Sequence, residues 1–153
     1  MFLIFDTETT GLPRNYNAPV SDSDNWPRMV QLAWQLHDEL GNLVEQANYV
    51  IKPEGFTIPF NATKVHGITT DHAQKHGVAL ETVLEKFEQA CSQSRFLVGH
   101  NIDFDLKIAG AEYFRIYQED RLKDYHKLDT CTETTASLCQ LPGGREASSS
   151  FQI

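Results

Sequence analysis

The stretch FLIFDTETTGL, Phe2 to Leu12, decides how this chain is read. It is apolar through Phe5, turns abruptly to Asp6-Thr7-Glu8, and meets a glycine at Gly11. A short run with no polar face predicts a strand over Phe2–Asp6 buried on both sides. Strand side chains alternate, so Asp6 and Glu8 project from one face. Two readings follow from the stretch alone. Either the strand ends with polar groups in water, or two carboxylates are directed at a common target.

The sequence downstream sets this strand in a larger sheet. Pro13–Pro27 is rich in Pro, Asn, Asp and Ser and reads as a loop. Val30–His37 alternates, with Val30, Leu32, Trp34 and Leu36 on one face, as a half-buried antiparallel strand does. Asp38–Asn42 supplies a turn, and Leu43–Lys52 reads as the returning strand of a hairpin. Pro53–Thr69 reads as irregular. Leu80, Val83, Leu84, Phe87 and Cys91 then recur at helical spacing. Phe96–Val98 is predicted as a short strand, Asp105–Tyr117 as a helix, Lys127–Asp129 as a last strand, and Thr130–Leu141 as a helix stopped by Pro142-Gly143-Gly144. The order β-β-β-α-β-α-β-α predicts an α/β fold: a mixed sheet with an early antiparallel hairpin, flanked by helices.

Composition narrows the class. The 153 residues suit one domain, and 41% hydrophobic with 22% charged residues is globular. Three cysteines without a Cys-x-x-Cys pair argue against a disulfide framework or a zinc knot and for reduced thiols in the cytoplasm. The N-terminal apolar run is too short for a signal segment or membrane span, so no membrane partner is expected. A formal charge of −8 is the wrong sign for gripping nucleic acid through a broad basic face. It suits a site that binds phosphate through cations held by carboxylates.

A third acid supports that alternative. Asp105 closes GHNIDFD, just past a predicted strand and at the start of a helix. Three carboxylates at the carboxyl ends of strands repel one another unless a divalent cation neutralises them, and hard oxygen donors favour Mg2+ or Mn2+ over zinc. Two such ions roughly 3.5–4 Å apart activate water and stabilise both oxygens of a phosphodiester displacement. The plainer reading makes Asp105 a helix N-cap and Asp6 an ordinary strand end.

Three motifs in order carry a resemblance. FDTETTGL resembles the first motif of the DEDD 3′–5′ exonucleases, in the histidine branch, the superfamily that includes the proofreading epsilon subunit of bacterial DNA polymerase III. VGHNIDFDLKI is similar to the second motif, and ATKVHGIT to the Val-His-Gly-Ile segment between them. The resemblance covers most of residues 1–139. It implies a ribonuclease H-like fold, a two-cation site of Mg2+ or Mn2+ held by Asp6, Glu8 and Asp105, and a pocket for the terminal nucleotide at His66, with Asn61 a further member. The implied activity is proofreading-like release of nucleoside monophosphates from the single-stranded or frayed 3′ end of DNA, with RNA left open. A polymerase subunit is the implied partner. The same resemblance leads one to expect a third motif, His-x-x-x-x-Asp, carrying the general base and a fourth ligand. No histidine follows His126 and no aspartate follows Asp129. His66–Asp71 and His100–Asp105 have the spacing, but each lies upstream and belongs to another motif. His37, His72, His76 and His126 read as structural or solvent-exposed.

The expected domain is therefore 1–145, incomplete, followed by a tail over 146–153 that is foreign to the domain or disordered. A permitted back-translation of Arg145–Ile153, read from the third base of the Arg145 codon, gives Gly-Gly-Lys-Phe-Lys-Leu-Pro-Asn, the kind of continuation the resemblance implies. A frameshift near Arg145 is the expectation, and the coding DNA would reveal it. Two other functions compete. One is a catalytically impaired fragment or nucleic-acid-binding module. The other is a phosphatase with Asp6 as nucleophile, which would need an aspartate where Glu8 stands.

Overall fold

A computed structural model describes residues 1–139. Five strands lie in the order β3-β2-β1-β4-β5. Strand β1 (Phe2–Thr9) is central, with β2 (Met29–His37) and β3 (Leu43–Val50) forming the hairpin on one side. Strands β4 (Phe96–Gly99) and β5 (His126–Asp129) run parallel to β1 on the other. The mixed sheet with its early antiparallel hairpin is thus as the alternation of Val30–His37 predicts.

Strand β1 differs from expectation in two respects. It continues to Thr9, so the two acids lie within the strand, and a register shift marks the step from Glu8 to Thr9. It is also buried on one face only. Leu3, Phe5, Thr7 and Thr9 are buried, whereas Phe2, Ile4, Asp6 and Glu8 are more open. The buried face meets the helices. Helix α3 (Leu80–Gln93) presents Val83, Leu84, Phe87 and Cys91, and the Phe87 ring packs 5.0 Å from Phe5 and 5.5 Å from Trp34. Burying each such side chain contributes roughly 1.5–3 kcal/mol. Helix α4 (Ile102–Tyr117) adds Ile108, Ala109 and Tyr113, whose hydroxyl donates to the Leu84 carbonyl at 2.9 Å. The open face carries Gln31, Gln35, Gln46 and Asn48 beside the acids.

The segment expected to be irregular holds two short helices, α1 (Phe60–His66) and α2 (Thr70–His76). Seven residues are too few to display an apolar period, and local capping defines these turns instead. Gly67 closes α1 at φ 78°, a conformation glycine adopts without strain, and its N–H donates to the Thr63 carbonyl. The Thr69 hydroxyl caps α2 by accepting from the His72 N–H at 3.1 Å. Helix α5 spans Glu133–Leu138, shorter than the expected Thr130–Leu141. The expected boundary at 145 and the tail over 146–153 lie outside the described residues. Among the described residues, no helix is long and apolar enough to cross a membrane.

One buried charge joins the layers. Glu112 on α4 is fully buried, yet it accepts from the Arg28 guanidinium at 3.0 Å and the Met29 N–H at 2.8 Å. Arg115 stands 3.0 Å from the same carboxylate and donates to the carbonyls of Ser23 and Trp26. Helix α4, the start of β2 and the loop before it therefore share one carboxylate. Removing one partner of a buried ion pair strands the others, so Glu112→Ala should cost about 3–5 kcal/mol in chemical denaturation. A loss below about 1 kcal/mol would mean that the arginines are satisfied without it.

Candidate active site

Alternation along β1 turns Asp6 and Glu8 to the open face, opposite Ala33 and Gln31 of β2. There they line a groove of about 470 Å3 with Ile4, Gln31, Gln35 and Asn48. Asp105 arrives from the other side. It lies in the first turn of α4, only 3% exposed, and its Oδ1 accepts from the Thr7 N–H at 3.0 Å and the Thr7 hydroxyl at 2.6 Å. Thr7 separates Asp6 from Glu8 in sequence, so the third acid is anchored at the middle of the D-x-E pair.

The three carboxylates interact without closing on one point. Among the described residues, no three Asp, Glu, His or Cys side chains stand close enough to share an ion. The reason is that β1 projects Asp6 and Glu8 from one face while Thr7, on the other, holds Asp105. Partial desolvation raises Asp6, opposed by the Thr7 main chain and by His100. Desolvation and the Asp6 charge raise Glu8. Burial pushes Asp105 up to about 7, with the Thr7 hydroxyl holding it down and Asp6 adding repulsion. Such a set gains from a neighbouring cation, which favours the charged form of every member. The donors are hard oxygens, so their chemistry fits Mg2+ or Mn2+.

His66 ends α1 close to the Thr9 main chain. Its Nδ1 accepts from the Ile68 N–H at 3.1 Å, which leaves the proton on Nε2. That Nε2 is buried beside the Thr9 main chain without an acceptor at full hydrogen-bond geometry; burial lowers the His66 pKa, and the Thr9 backbone opposes it. Asn61 is exposed on the first turn of α1. His100, set aside on its sequence position, stands near enough to influence Asp6, and its Nε2 is likewise buried and unpartnered. Two contributors had no signal in the sequence: Thr7, bonded across 98 positions to Asp105, and the amide row Gln31, Gln35, Gln46 and Asn48.

Acids on the central strand of a β3-β2-β1-β4-β5 sheet define a ribonuclease H-like nuclease fold, and comparison with solved structures agrees. The chain superposes on E. coli exonuclease I in complex with a dA16 oligonucleotide with a TM-score of 0.68 at 20% identity, over 84% of this chain and 28% of that one. A product-bound structure of exonuclease I gives a TM-score of 0.73 at 19% identity, over 95% of this chain and 35% of the other. A zinc-bound form of the E. coli ExoI–ssDNA complex also matches, at a TM-score of 0.68 and 20% identity, over 84% and 27%. The family model described as Exonuclease (RNase_T) matches residues 3–149, and the chain belongs to that exonuclease family. Its curated relatives include the PolC-type DNA polymerase III of Streptococcus pneumoniae strain D39, 33% identical over 114 residues, and that of Streptococcus pyogenes serotype M2, 35% identical over 114. In both, the match covers 74% of this chain and 7% of the relative, so the chain spans a small fraction of these proteins.

The raised Asp105 sets a pH dependence. Between its ordinary value of 3.8 and about 7, the folded protein binds a proton that the unfolded chain has released. Its contribution to stability is therefore fully present below the ordinary value and is lost as pH rises through about 7. Asp105→Asn keeps an acceptor for Thr7 and removes the buried charge. In chelator and at about pH 8 this variant should be more stable than the parent by on the order of a few kcal/mol, with the two converging near about pH 4. Denaturant titration at both pH values measures it, and a variant less stable at the higher pH would contradict the electrostatic account.

Proposed function

We propose that the chain is a metal-dependent 3′–5′ exonuclease domain, proofreading-like, that releases nucleoside monophosphates from a single-stranded or frayed 3′ end of DNA. The observation that carries this reading is the anchoring of Asp105 on Thr7, between Asp6 and Glu8. These three side chains would hold two divalent cations, Mg2+ or Mn2+, by drawing closer together than they stand without them. When bound, such ions supply Lewis-acid stabilisation of a phosphodiester displacement and an activated water.

The protein's own groups do the rest. Asp6 and Glu8 set the negative wall of the groove, and Thr7 fixes the Asp105 carboxylate by two hydrogen bonds. The His66 Nε2–H, beside the Thr9 main chain, is the group of α1 that would meet a polar group of the terminal nucleotide. Leu12 lies just beyond β1 and is 73% exposed, and an apolar side chain so placed suits contact with a base. Single-stranded oligonucleotides bound to the exonuclease I neighbours support a DNA strand as substrate, and the relatedness to PolC-type polymerases supports a polymerase as partner.

A second reading is a domain that binds 3′ ends and turns over poorly. It is favoured by the separation of the three acids: among the described residues, no three Asp, Glu, His or Cys side chains stand close enough to share an ion. A 5′-labelled oligonucleotide titrated with Mn2+ or Mg2+ separates the two. Stepwise 3′ shortening with mononucleotide release supports the exonuclease, and binding without shortening supports the module. Asp6→Asn should lower any shortening by roughly 100-fold or more, because residues acting as a unit fail together. Shortening that survives in Asp6→Asn would point to a contaminating nuclease.

A further inference from the structure

The turn that launches α4 is held by β5, the edge strand beside β4. Asn101 precedes α4 in the left-handed region, at φ 62° and ψ 44°, and it makes no side-chain cap to the helix. Asparagine enters this region more readily than other non-glycine residues but still at some cost, so a partner that fixes it there matters. What holds it is Asp129, the last residue of β5. Its Oδ1 accepts from the Asn101 N–H at 2.9 Å and from the Cys131 N–H at 2.7 Å. The second bond is a local turn of β5's own end. The first spans 28 positions and ties β5 to the start of the helix that carries Asp105.

Neighbouring contacts act in the same direction. The Thr130 N–H and hydroxyl both donate to the Gly99 carbonyl, at 2.9 and 3.1 Å. Thr130 Oγ1 also stands 3.3 Å from His100 Nδ1, which ties the His100 ring to the same turn. Lys127 of β5 pairs with Asp103 on the same turn of α4 as Asp105. We propose that Asp129 is a positioning residue of the candidate active site, holding Asn101 in its left-handed conformation so that α4 presents Asp105 to Thr7 and His100 stays beside Asp6. This role rests on Asp6, Glu8 and Asp105 being the cation-binding set.

The test compares Asp129→Ala, Asp129→Asn and Asp129→Ala with Asn101→Gly, using Mn2+ binding by calorimetry and amide hydrogen exchange at Asn101 and Cys131 in chelator. Asp129→Asn keeps the accepting oxygen and should bind Mn2+ within about threefold of the parent, whereas Asp129→Ala should weaken it by roughly tenfold, the usual scale for a residue supporting metal ligands. Adding Asn101→Gly supplies a residue at ease in that conformation and should recover most of the loss, which restored global stability alone would not predict. Asp129→Ala that stays folded by circular dichroism and binds Mn2+ like the parent would overturn the proposal, as would a double variant with no recovery. If the parent itself binds no Mn2+, the cation-site reading fails. Exchange then decides the clamp separately: faster exchange at Asn101 in Asp129→Ala sustains it, and unchanged exchange refutes it. Should Asp129→Ala not fold, Asp129→Asn read by exchange at Asn101 is the deciding variant, with unchanged protection expected and lost protection contrary.

Discussion

Two hydrogen bonds from Thr7 to the Oδ1 of Asp105 fix the relation between the central strand and the helix that crosses behind it. Nearly everything at the site follows from that contact. The carboxylate is taken out of water, and its pKa rises accordingly. The partner is the residue between Asp6 and Glu8, so the acid from α4 cannot sit elsewhere along β1. A strand with one face packed and the other open lets one threonine serve the core while its two neighbours face the groove.

The electrostatics of the site and of the core take opposite forms. Glu112 is as buried as any residue in the chain, but two guanidinium groups and a main-chain N–H compensate its charge. Asp105 is nearly as buried and is held by Thr7 and the backbone at its own position rather than by a cation, with Asp6 adding to its burden. A compensated carboxylate stabilises architecture. An uncompensated one stores an unfavourable interaction that a bound cation can relieve, which is the pattern of a binding site.

Much of this was legible in the residues. The alternation of Val30–His37 gave the hairpin, and the two-residue spacing placed Asp6 and Glu8 on one face, where the structure has them. The order of the three motifs, FDTETTGL, ATKVHGIT and VGHNIDFDLKI, marks the exonuclease family to which the chain belongs. Other features were hidden for physical reasons. Strand β1 runs on to Thr9 because pairing with β2 overrides the turn-like composition of its end. Helices α1 and α2 are too short to show a period and are set by caps at Gly67 and Thr69. No local rule could foretell that Thr7 meets Asp105 or that Asp129 reaches Asn101, since both bonds depend on strands brought together by the whole fold.

The Glu112 hub also governs the loop before β2. The segment before β2 is held through Arg28, Met29, Ser23 and Trp26 to one helix, and Lys107 of that helix also donates to the carbonyls of Tyr16 and Ala18. Loops of this length ordinarily open on their own, at far less free energy than global unfolding. This one is tied to α4 at Tyr16, Ala18, Ser23, Trp26 and Arg28, so its opening must break those bonds. Displacing that loop therefore disturbs the helix that carries Asp105, and through it the placement of the third acid.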